Sequence, residues 1–272
     1  MAYENLSEGA LDYLPCRYGK SKLLFRGPRK KMDGNYIAVI GGTETYGKFI
    51  EKPFTELVED DVSTTSINFG CVNAGADVFL NEPAILDACS KARVTVIQAM
   101  GAQNMSNRFY AVHPRRNDRF LKASVLLKMV FREVDFTDFH FTRHMLSTLK
   151  KLSEERFALV EDEIKEAWKA RMQIMLEKIE GKTVMLWIDD SNPEGKSDLG
   201  HDPLFVDREM IEAIRPYCTK VVEVNLSDQA KSEGVAGMIY PEMEEPMAKE
   251  MMGMRAHREI AKSLSNALRD ML

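Results

Sequence analysis

Tyr36-Ile37-Ala38-Val39-Ile40-Gly41-Gly42-Thr43-Glu44-Thr45-Tyr46-Gly47-Lys48-Phe49 is the stretch whose reading decides the fold. An apolar, β-branched run (37–40) stops at two glycines, and a polar turn leads into a segment able to start a helix, with Thr43 placed as its N-cap. Strand, glycine turn and helix start, in that order, open the ligand site of an α/β sheet. Ligands there bind beyond the carboxyl ends of the strands, where backbone N–H groups point outward. Residues 41–48 are therefore expected to belong to the site.

The same alternation repeats outward from this stretch. Segments 63–70, 94–100, 183–188 and 221–225 read as four further strands, and 53–57 and 207–217 as helices. Strand–helix alternation implies a three-layer, doubly wound parallel five-stranded sheet, in the flavodoxin-like order 2-1-3-4-5. That order brings the first and third strand ends together at the switch point.

Residues 105–181 are expected to form a long helical insertion. They begin with a loop dense in arginine, and apolar residues then recur at three- and four-residue spacing (Val125, Leu126, Met129, later Trp168, Met172, Met175). So long an excursion, rich in methionine, also suggests a homodimer. Residues 1–35 read as an irregular leader in which Arg26, Arg29, Lys30 and Lys31 form a solvated turn. A single α/β domain spans 1–272, with 182–272 completing the sheet.

Composition narrows the function. The chain has 272 residues, 44% hydrophobic and 29% charged, with a formal charge of −5, which leaves no broad basic footprint for nucleic acid. No apolar run approaches the roughly 18 to 20 residues of a membrane helix, so no membrane partner is expected, and no targeting signal opens the chain. The four cysteines are scattered without a C-x-x-C pair, the pattern of reduced thiols in a cytoplasmic protein. His140 and His144 lie four apart but lack the glutamate of an H-E-x-x-H site, so neither metal nor other cofactor is expected.

Two chemistries compete for the glycine turn. Gly42, Gly47 and Lys48 satisfy the start of G-x-x-x-x-G-K, with 184–190 as an acidic strand, yet Phe49 stands where a phosphate loop needs the hydroxyl that binds magnesium. Alternatively, 41–47 resembles the first block of the SGNH (GDSL-type) hydrolases, with Thr43 in the place of the nucleophilic serine and Gly42 in that of the aspartate. Asn68-Phe69-Gly70 with Asn73 is similar to their second block, and Gly101-Ala102-Gln103-Asn104 to their third. His257, at the start of a C-terminal amphipathic segment, matches their histidine, with Met254 at the position of its orienting aspartate.

The resemblance implies an esterase or acyl-transfer enzyme acting on a small-molecule substrate. Thr43 would be its nucleophile, Gly70 and Gln103 or Asn104 the oxyanion donors, and His257 the base; Asp189, Asp190, Glu244 and Glu245 are candidates for the missing acid. Gly42, Asn73, Arg108, Arg115 and Arg116 would contact the substrate. A non-catalytic protein that binds an anionic ligand in the same pocket is the alternative, and a nucleotide-dependent phosphotransferase using Gly42 to Lys48 is the third.

Overall fold

A computed structural model describes residues 9–189 and 198–272. In chain order the elements are β1 (Tyr36–Gly41), α1 (Thr43–Tyr46), α2 (Phe54–Val62), β2 (Thr65–Gly70), α3 (Ala76–Leu80), α4 (Pro83–Lys91) and β3 (Val94–Gln98). The excursion follows, with β4 (Tyr110–His113), β5 (Arg116–Ala123), α5 (Val125–Val130), α6 (Thr142–Leu152) and α7 (Glu154–Lys178). The chain closes with β6 (Thr183–Asp189), α8 (Arg208–Ile214), β7 (Lys220–Asn225), α9 (Asp228–Ser232), α10 (Glu245–Ala248) and α11 (Met254–Arg269).

Five strands pair in parallel in the order β2-β1-β3-β6-β7. Counting these strands alone, this is the 2-1-3-4-5 order expected from the sequence. Alternation along each strand divides the core between two faces. Ile37, Val39, Val96 and Val184 join an apolar cluster with α2 and α11, while Ala38, Ile40, Ile97 and Met185 join a larger one with α3, α4, α6 and α7. Both faces are thus covered by helices, which is why the central strands read as continuous apolar runs.

The excursion differs from the expected loop and helices. Residues 110–123 form an antiparallel hairpin, β4 with β5, concealed in the sequence because β5 reads Arg-Asn-Asp-Arg-Phe-Leu-Lys-Ala, with too few apolar residues for a two-residue period to show. The helical period expected from 121 onward is broken by β5 and by the segment between α5 and α6.

The leader is also more than a solvated turn. Tyr18, Leu23 and Phe25 are buried, and so is Arg26. Its guanidinium donates to the carbonyls of Gly47 (2.7 Å) and Glu51 (2.6 Å) beyond α1. The segment around Arg26 thereby straps down the far end of the glycine turn.

Candidate functional site

At the end of β1 the backbone turns sharply against β3. A Cβ on Gly41 would run into the side chains of Thr45 and Gln98, so glycine is needed for Gln98 to reach the turn. The Oε1 of Gln98 accepts three hydrogen bonds, from Gly42 N–H (3.0 Å), Thr45 N–H (3.2 Å) and the Thr45 hydroxyl (2.6 Å). Its Nε2 donates to the Glu44 carboxylate (2.6 Å). The N–H groups of Gly42 and Thr45, which could have met a phosphate or an oxyanion, are met instead by an amide of the protein.

Thr43 is the first residue of α1, and Gly42 rather than Thr43 is the N-cap. This frees the threonine hydroxyl for Asn73, a residue in the left-handed region (φ 55°) at the end of β2. Thr43 Oγ1 accepts from Asn73 N–H (3.0 Å) and donates to Asn73 Oδ1 (3.3 Å). Asn73 Nδ2 in turn donates to the Asp118 carboxylate on β5 (3.3 Å). The hairpin absent from the sequence reading therefore reaches the switch point. Asn117, fully buried beside Asp118, accepts from Gly75 N–H and Val78 N–H at the start of α3 (both 3.1 Å).

The remaining sites expected from the sequence are distributed as follows. Gly70 lies at the end of β2, but its N–H donates to Asn68 Oδ1 (2.8 Å) and is not offered to an oxyanion. A Cβ there would strike the backbone of Thr45 and Tyr46, so this glycine serves the packing of β2 on α1. Asn104 donates to the carbonyl of Asn73 (3.1 Å) and accepts from Thr142 (2.8 Å), tying the β3 end to its neighbours. Gln103 is buried, and its Oε1 has no partner among the described residues. Arg108 is held by Glu163 of α7 through its backbone N–H and its guanidinium. Arg115 and Arg116 stand exposed at the hairpin tip, where their N–H groups donate to His113 Nδ1.

His257, the base expected from the resemblance, has no hydrogen bond to Thr43 among the described residues. It is 1% exposed in the first turn of α11, stacked on Phe54, and its Nδ1 accepts from Phe54 N–H (3.1 Å). A neutral imidazole has one acceptor nitrogen, and here it satisfies the start of α2, whose N-cap Pro53 makes no side-chain cap. Burial, with the charge of Arg26 adding to it, pushes the pKa of His257 down to about 3. Neither Asp189, Glu244 nor Glu245 contacts this ring among the described residues, and Glu245 pairs with Lys249. Asp190 lies outside the described residues. Lys48 rests against Met247 and over the Phe49 ring, 4.7 Å from its centroid.

The polar groups around the turn are thus Asn73, bonded to Thr43 and in turn to Asp118 and Asn104, and Gln98, bonded to Gly42, Thr45 and Glu44. Of these, Gln98 and Asp118 were missed. Gln98 carried a signal, as the polar end of a wholly buried strand. Asp118 carried none, because only the hairpin brings it there. Among the described residues no group of histidine, cysteine, aspartate and glutamate side chains could hold a metal ion.

Fold and site define an α/β protein with a parallel five-stranded sheet and a polar cluster at its switch point. The chain belongs to the family described as a domain of unknown function (DUF6473), whose model matches residues 1–272. No curated protein matches the sequence.

Proposed function

We propose that the protein is a non-hydrolytic binding protein of SGNH-like descent, which takes a small ligand bearing hydroxyl or ammonium groups at the switch point. The observation that carries this reading is the bond from the Thr43 hydroxyl to Asn73 Oδ1. An amide oxygen orients a hydroxyl but cannot take its proton, so the activation that a nucleophile requires is missing. Around that hydroxyl the side chains of Asp118 and Glu44 are half-exposed and that of Asn73 is exposed. Carboxylates and an amide favour a ligand that brings donors, not the anion that free arginines would draw. Arg108 is engaged by Glu163, Arg119 lies over the Phe141 ring at 4.2 Å, and Arg115 and Arg116 stand exposed at the hairpin tip.

The competing esterase reading predicts turnover dependent on Thr43. With p-nitrophenyl acetate, Thr43→Ala is expected to leave the background rate unchanged. In calorimetric titrations against monosaccharides, polyols and small amines, at least one class should bind the wild type, with affinity falling about tenfold or more in Asp118→Asn, the loss of a charge-assisted bond. Hydrolysis that disappears with Thr43→Ala would restore the enzyme. Binding only of phosphate, sulfate or acetate would favour the anionic ligand instead.

A further inference from the structure

The hairpin and α5 carry a surface that the switch-point site does not use. Residues 115–132 contain six cationic side chains (Arg115, Arg116, Arg119, Lys122, Lys128, Arg132) and one acidic one (Asp118), a net +5 within a chain of net −5. The single carboxylate accepts from Asn73. Between the cations stand apolar side chains facing solvent: Leu121, Leu126, Met129 at 58% exposure and Val125 at 75%.

This outward face is held in place and is not a frayed end. Ser124 caps α5 by accepting from Leu127 N–H (3.2 Å), while Phe120, Ala123, Leu127 and Phe131 are buried on the inner side. With that side anchored, Val125, Leu126 and Met129 are committed to solvent. Beyond α5, Lys128 and Arg132 line a surface hollow together with Val134 and Phe136. The hollow also holds two carboxylates, Glu133 paired with Arg156 and Asp135 accepting from Thr137 within the hollow.

We infer that this face docks the protein peripherally on an anionic lipid bilayer, the aliphatic side chains entering the interface and the surrounding cations meeting lipid phosphates. Exposed aliphatic residues interspersed along the sequence with cations match the layered chemistry of such a surface. A second copy of the chain fits poorly, because a two-fold contact would set the +5 face against itself. Single-stranded nucleic acid fits poorly as well, since aliphatic Val125, Leu126 and Met129 give bases no stacking platform. No helix among the described residues is long and apolar enough to cross a membrane, so the attachment is to the surface.

Co-sedimentation of the full chain with vesicles decides the matter. Binding to phosphatidylcholine mixed with phosphatidylglycerol is expected to exceed binding to phosphatidylcholine alone by about tenfold or more at low salt, and to weaken as salt is added. Lys128→Glu with Arg132→Glu should abolish the preference for the anionic vesicles. Val125→Asp with Met129→Asp should weaken binding to them without changing the melting temperature, since both positions are exposed. Equal binding to the two vesicle types, or anionic binding unchanged in both double variants, would overturn the assignment. So would a wild-type dimer in sedimentation velocity that the Val125→Asp, Met129→Asp pair dissociates.

Discussion

His257 does structural work at the start of a helix far from it in sequence. Its ring substitutes for the side-chain cap that Pro53 does not provide, accepting the Phe54 N–H from a helix about 200 residues further along. Replacing it with leucine strands that buried N–H and should cost about 1–3 kcal/mol. The pH dependence follows from the depressed pKa. The folded state keeps the ring neutral down to about pH 3, whereas the unfolded chain protonates it below its ordinary value of 6.5. The stabilisation is complete above pH 6.5 and is lost as pH falls toward 3, because the unfolded state binds the extra proton. Urea titrations at about pH 7.5 and 5.5 should show the wild type losing about 1.4 kcal/mol more than His257→Leu over that interval. Equal losses would mean that the ring is accessible to protons in the folded protein. The sequence places this histidine before a C-terminal amphipathic segment, but the engagement of its Nδ1 by Phe54 N–H is visible only in the fold.

At the scale of elements, legibility followed periodicity. β1, β3 and β6 were readable because strands covered on both faces are uninterrupted apolar runs, and the sheet order followed from their alternation with helices. The hairpin was not, because β5 has few apolar residues and is tied in through Asn117 as well. That buried amide accepts two N–H groups at the start of α3 and donates through Nδ2 to the carbonyl of His113 (3.0 Å). Asn117→Ala is expected to destabilise the fold by about 2–4 kcal/mol, two buried donors being left without an acceptor. In hydrogen exchange, protection should fall first at Gly75 and Val78, ahead of the central strands. A uniform loss of protection across the sheet would show instead that the hairpin is not a separable unit. The glycines of the site divide in the same way. Gly41 admits Gln98 and Gly70 admits α1, both packing demands, although the sequence pattern resembled catalytic blocks.

For the molecule as a whole, charge and topology were legible to different depths. A net charge of −5 excluded a broad basic footprint, yet averaging over the chain concealed the +5 of 115–132, which becomes a surface only once β5 and α5 are folded. The parallel sheet has a further consequence, in time instead of space. β3 and β6 pair directly (Thr95 with Thr183, Val96 with Val184), although the whole excursion from 99 to 182 separates them. Ile37 of β1 pairs with Ser66 of β2 and with Val94 of β3, both closer along the chain than Thr95 is to Thr183. A contact that must gather so much intervening chain forms late, since loop entropy is lost before the contact offsets it. The β2-β1-β3 half is therefore expected to assemble first and to wait for β6, β7 and α11. Trp187 lies within β6, on the late side of this junction, and Trp168 stands in the excursion that must be gathered, donating to the carbonyl of Met100 (2.7 Å). Refolding followed by tryptophan fluorescence should then lag behind the backbone signal, and a chain emerging from a ribosome would hold half a sheet with β3 as an open edge until β6 had been made.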